Sequence, residues 1–164
     1  MTYSIVALCP ETGHRGIAVA SRFFAAGAIV PYIRGGRAAV ASQAFINPLW
    51  GMEACERCAE GEPGAQVLAD LVARDAGSAH RQIHLIDAHG AIAAHTGASC
   101  VDWAGHVSAP GVSVAGNMLA GPQVVQATLE AFLAATGPLA ERMMTAMEAG
   151  EAAGGDKRGT QSVA

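Results

Sequence analysis

MTYSIVALCPETGHRGIAVAS, residues 1–21, reads as two strands joined by a turn. Residues 4–8 and 16–21 are apolar and rich in β-branched side chains, and the segment between them carries Pro10, Gly13 and several polar residues. In the first strand Thr2, Ser4, Val6 and Leu8 share one face. Thr2 is the unusual member. It is small enough for Met1 to be removed, and it would then carry both a hydroxyl and a free α-amine.

Further strands are expected at residues 28–33 and 38–43, with the Gly35-Gly36 pair turning a hairpin. A helical region spans residues 49–74 and breaks near residues 61–64. Val67, Leu68, Leu71 and Val72 supply its apolar face. A second hairpin is read at residues 81–87 and 91–95, around His89-Gly90, and another strand at 112–115. Two helices follow at residues 122–135 and 138–149, each with a proline near its start. Leu139, Met143, Met144 and Met147 form the apolar stripe of the last one. Strands and helices come in groups, which predicts an α+β protein of antiparallel sheets covered by helix layers rather than alternating βαβ units. Residues 161–164 read as the beginning of another strand, which leaves two alternatives: a fold without its closing strand, or a fragment.

Composition narrows the function classes. The chain has 164 residues, enough for one domain with a real core, with 51% hydrophobic and 15% charged residues. A net charge of −4 without a basic stripe argues against nucleic-acid binding. No apolar run reaches membrane-spanning length and no leader pattern opens the chain, so a cytoplasmic protein without a membrane partner is expected. The four cysteines are read as reduced thiols, and the Cys55-x-x-Cys58 spacing as two thiols on one helix face. Neither a metal nor another cofactor is expected, because zinc-type ligand spacing, a P-loop and a dinucleotide fingerprint are all missing.

Several ordered stretches carry a family resemblance: MTYSIVA, GIAVASRFFAAGAIVP, ASQAFINPLWG, AAHTGASCVDWAGH, GNMLAGP and AAGGDKRGTQS. Together they resemble domain of unknown function 1028, a bacterial family classed as similar to the N-terminal nucleophile (Ntn) hydrolases. The resemblance implies a four-layer αββα sandwich of two mainly antiparallel sheets. It also implies relatives that continue past Ala164, and a homo-oligomeric habit.

In that superfamily the nucleophile opens the first strand, where Thr2 stands. A hydroxyl attacks a carbonyl and the α-amine, with a pKa of roughly 7.7–8.0, takes the proton. The resemblance implies that Asp156 orients this amine and that Asn117 contacts the oxyanion or the amine. Arg22 keeps its place in the GIAVASR stretch, whereas Ala20 stands where proteasome subunits have an acid and Arg34 lies loosely where they have a lysine. Arg22 or Arg34 would hold an anionic substrate. Gln43 and Asn47, around the end of one strand, are candidate carbonyl contacts, and His95 is a candidate site-lining residue. The expected function is hydrolysis of a small amide, lactam or ureido bond. The alternative is a binding or assembly module on the same fold.

Overall fold

A computed structural model describes residues 2–159 and 162–164. The readings that fell on Met1, Thr160 and Gln161 lie outside the described residues. The elements run in the order β1 (Thr2–Leu8), β2 (Arg15–Ser21), β3 (Pro31–Arg34), β4 (Ala38–Ala44), α1 (Pro48–Glu60), α2 (Gly64–Arg74), β5 (Arg81–Ile86), β6 (Ile92–Thr96), β7 (Gly105–Ala109), β8 (Val112–Asn117), α3 (Gln123–Ala134), α4 (Leu139–Ala152) and β9 (Ser162–Val163). One sheet has the order β7-β8-β1-β2-β9 and the other β3-β4-β5-β6. Every strand pairing in both is antiparallel. The α+β expectation of two antiparallel sheets with helix layers therefore holds.

Three cores stack across the molecule. Tyr3, Ile5, Ala7, Val112 and Val114 point from the five-stranded sheet to Leu129 and Phe132 of α3 and Met143 and Met147 of α4. Val40, Ile83 and Leu85 point the other way, to Trp50, Cys55 and Cys58 of α1 and Leu68 and Leu71 of α2. Between the sheets lie Val6, Val19, Val30, Ala39, Ala41 and Ile86. The central strands are thus buried on both faces. Met144 is the exception in its stripe and is about half exposed.

Local chemistry fixes the connections. Asn47 caps α1 by accepting a hydrogen bond from Leu49 N at 3.1 Å, with Pro48 in the first turn. Gly61 ends α1 at φ 106°, a left-handed conformation that favours glycine. The β5–β6 hairpin turns around Asp87, whose Oδ1 accepts from His89 N and Ala91 N, while Oδ2 accepts from Gly64 N at the start of α2.

Two segments differ from the sequence reading. The strand expected at 28–33 is shorter and later, because a short 3-10 turn occupies Ala26–Ala28 before β3 starts at Pro31. The edge strand β7 was not expected at all.

Candidate active site

The space between the sheets changes character along its length. Part of it is the apolar cluster of Val6, Val19 and Ile86. Beside it five strands turn polar side chains inward: Thr2 and Ser4 from β1, Ser21 from β2, Gln43 from β4, Gln82 and His84 from β5, and Ser113 and Asn117 from β8. All eight are buried. Such groups are tolerated in a core only when hydrogen-bonded, and here they form a continuous network.

Gln82 is the hub. Its Oε1 accepts from Gln43 Nε2 at 2.9 Å and from Asn117 Nδ2 at 3.0 Å. Its Nε2 donates to Gly116 O at 2.8 Å, Gly105 O at 3.1 Å and Thr96 Oγ1 at 3.0 Å. Behind it, Ser4 Oγ donates to Gln43 Oε1 at 2.7 Å. That commits the Ser4 proton, so Ser4 Oγ accepts from His84 Nε2–H at 2.8 Å, and His84 Nδ1 accepts from Ser113 Oγ at 2.9 Å. Burial, with a smaller push from His106, drives the His84 pKa down to about 3, so this imidazole is neutral near pH 7.

Thr2 closes the network at the surface. Its hydroxyl lies 3.1 Å from Ser21 Oγ, which also accepts from Phe23 N at 2.9 Å. Its carbonyl accepts from Asn117 Nδ2 at 3.4 Å. Thr2 pairs with Ser21 on one side and Asn117 on the other, so the strand register itself gathers these three side chains. Thr2 and Asn117 form part of the wall of a cavity of about 270 Å³, completed by Phe23, Ala26, Ile29, Val30, Ala44, Phe45 and Ile46. A second cavity of about 190 Å³ shares Ala44, Phe45 and Asn117 and extends past His80, Ser99 and Cys100. Among the described residues three that are not glycine hold left-handed backbone: Ala25 at φ 54°, Ala44 at φ 70° and Met118 at φ 54°. All three lie on or beside these two cavities, where strained backbone often marks function.

The other expected site residues are dispersed. Asp156 is buried and one step removed: its carboxylate accepts from Arg22 N at 3.2 Å and Arg158 N at 2.7 Å. Through these bonds and a bridge to Leu119 it ties together the chain leaving β2 and β8. Arg22 is exposed and its guanidinium donates to Arg158 O. Gln43 sits behind Asn117 with both amide hydrogens committed, to Gln82 and to Ala115 O. Asn47 is the α1 cap, and Arg34 pairs with Glu56 on the outer side of β3. His95 faces α1 and α2: Nε2 contacts Ser78 O at 3.0 Å and the ring lies 5.9 Å from that of Trp50.

Gln82, Ser4, His84 and Ser113 were not singled out as site residues. A signal existed. In residues 81–86, RQIHLI, the polar Gln82 and His84 alternate with Ile83 and Leu85, and the polar set points inward.

Elsewhere, Cys55 and Cys58 are free buried thiols, and burial pushes Cys58 up to about 12. Among the described residues no group of three or more His, Cys, Asp or Glu side chains is placed to hold a metal ion. Nor is any described helix long and apolar enough to cross a membrane.

Residues 2–164 match a family of unknown function, DUF1028, and the chain belongs to it. A crystal structure of protein SPO2555 from Silicibacter pomeroyi, of the same family, is 32% identical in sequence. It superposes with a TM-score of 0.92 over 99% of this chain and 70% of the other. No functionally curated protein matches the chain.

Proposed function

We propose that this family member is an Ntn-type hydrolase of a small amide, lactam or ureido bond, with Thr2 as its nucleophile. The observation that carries the reading is the position of the Thr2 hydroxyl. It stands at the surface end of a buried polar network and at the wall of a cavity, between Ser21 and Asn117. A hydroxyl needed only to finish a strand would not require seven other buried polar residues joined to it in one network.

The chemistry requires Met1 to be cleaved. Thr2 Oγ then adds to the substrate carbonyl carbon while its proton passes to the Thr2 α-amine. The tetrahedral intermediate collapses, the C–N bond breaks, and the leaving nitrogen takes that proton. Water adds to the resulting ester, the amine again accepting a proton. The ester C–O bond breaks, releasing a carboxylic acid and restoring the Thr2 hydroxyl. In this reading Asn117 fixes Thr2 through its carbonyl, and Gln82 fixes Asn117. Asp156 acts at a distance, by holding the β2 and β8 ends in place.

A second reading has its own support. Among the described residues the partner of the Thr2 hydroxyl is Ser21, and neither Asp156 nor Lys157 contacts it. A binding module on the same scaffold needs no such base. The intact mass of protein from a native-like host separates the two, followed by Thr2→Ala. The hydrolase reading expects loss of Met1 and a fall in turnover of at least about 10³-fold at unchanged melting temperature. Retained Met1, or wild-type turnover in the variant, leaves the binding module.

A further inference from the structure

The cavity beside Thr2 has a marked asymmetry. Its polar groups are Thr2 and Asn117, at one end, and the remaining wall is Phe23, Ile29, Val30, Ile46, Phe45 and alanine. None of the described residues that line it is charged. The cations named from the sequence point elsewhere: Arg22 to Arg158 O and Arg34 to Glu56. Arg81, which stacks over the Phe45 ring at 5.3 Å, is held by Asp75 at 3.0 Å. A carboxylate placed along the apolar wall, away from the Thr2 α-amine, would lose its water without gaining a partner, whereas an apolar group there would lose nothing. The volume of about 270 Å³ lies just under the range that holds drug-sized ligands, so the occupant is a fragment.

We infer that the substrate's acyl side is uncharged and apolar, of phenyl or branched-alkyl size, seated among Phe23, Ile29, Val30 and Ile46. The inference rests on the reading of Thr2 as the point where the substrate carbonyl lies. It replaces the anionic substrate that Arg22 and Arg34 had pointed to. The smaller cavity past Asn117, lined by His80, Ser99 and Cys100, then receives the nitrogen side.

The test is a titration of the full chain, carrying ¹³C-labelled isoleucine methyls, with phenylacetamide, acetamide and succinamate. The Ile29 and Ile46 methyls report the cavity directly. Phenylacetamide is expected to shift both saturably, with a Kd at least about tenfold below those of the other two. Ile29→Trp, which fills the cavity from its side, is expected to abolish that binding. Phe23→Ala removes a side chain that is 59% exposed, so it spares the fold, and it is expected to weaken binding severalfold. Succinamate or acetamide binding as tightly as phenylacetamide overturns the inference, as does unchanged affinity in Phe23→Ala or absence of the methyl shifts. Product analysis on the same samples separates this from the hydrolase reading. Selective binding of phenylacetamide without phenylacetate formation keeps the inference and removes the hydrolase. Turnover that prefers acetamide or succinamate does the reverse.

Discussion

His84 shows how much a single buried side chain constrains this protein. Both ring nitrogens are used, toward Ser4 and Ser113, and burial holds its pKa at about 3 against an ordinary 6.5. The unfolded chain therefore gains a proton as pH falls below about 6.5 while the folded one does not. Stability attributable to this neutral histidine is fully present above pH 6.5. It declines as pH is lowered toward 3, with a limiting slope of about 1.4 kcal/mol per pH unit. His84→Gln is expected to remove that slope, so that the difference in urea-unfolding stability between variant and wild type changes steadily between pH 6 and 4. A difference that stays constant over this window would mean that His84 is protonated in the folded protein. Gln82 presents the same economy in a neutral residue. Gln82→Leu leaves the Gln43 and Asn117 amides without their shared acceptor, each at roughly 1–3 kcal/mol. A loss of about 3 kcal/mol in urea unfolding is expected, and a loss below 1 kcal/mol would mean that water or a rearranged amide takes over the hub.

At the scale of elements, close approach rather than propensity decides several positions. Gly150 lies inside α4, where alanine ordinarily stabilises by about 1 kcal/mol. Here an added Cβ would lie 2.3 Å from Thr128 Oγ1 and 2.9 Å from the Tyr3 ring. Neither can yield freely: Thr128 donates to Val124 O at 2.8 Å and Tyr3 OH to Met147 O at 2.9 Å. Overpacking of this kind costs roughly 1–3 kcal/mol, so Gly150→Ala is expected to lower stability by about 1 kcal/mol net, measured by urea unfolding. The sequence showed the helix and could not show this contact, which joins residues far apart in the chain. The same distinction explains which elements were legible. Helices α1 to α4 announce themselves by period, proline and glycine. Strand β7 does not, because residues 105–109, GHVSA, carry one strongly apolar side chain and run along a sheet edge. In the segment before β3, an apolar composition suited a strand equally well, and the left-handed Ala25 and the turn at Ala26–Ala28 have no sequence marker.

Across the whole molecule, the polar network and an apolar cluster share one inter-sheet space and are interleaved by strand register. The candidate site was half legible for this reason. Thr2 and Asn117 belong to recognisable stretches at strand ends, and the register brings them together. Arg34, Asn47 and His95 also sit at strand ends or in adjoining turns, but pairing and side-chain parity send them to other surfaces. Ile86 tests how the two are coupled. It is fully buried at the apolar end of β5, on the same face as Gln82 and four residues along the strand. Ile86→Ala removes core volume between the sheets and is expected to cost roughly 2–5 kcal/mol of unfolding free energy. Ile29, Val30 and Ile46 of the cavity wall belong to or pack against the same apolar cluster as Ile86, so the two sites share packing partners and are expected to couple. The phenylacetamide Kd read from the Ile29 and Ile46 shifts is therefore expected to weaken severalfold in Ile86→Ala, measured where the variant is folded. An unchanged Kd in folded Ile86→Ala would show instead that the cavity keeps its shape independently of the apolar cluster beneath it.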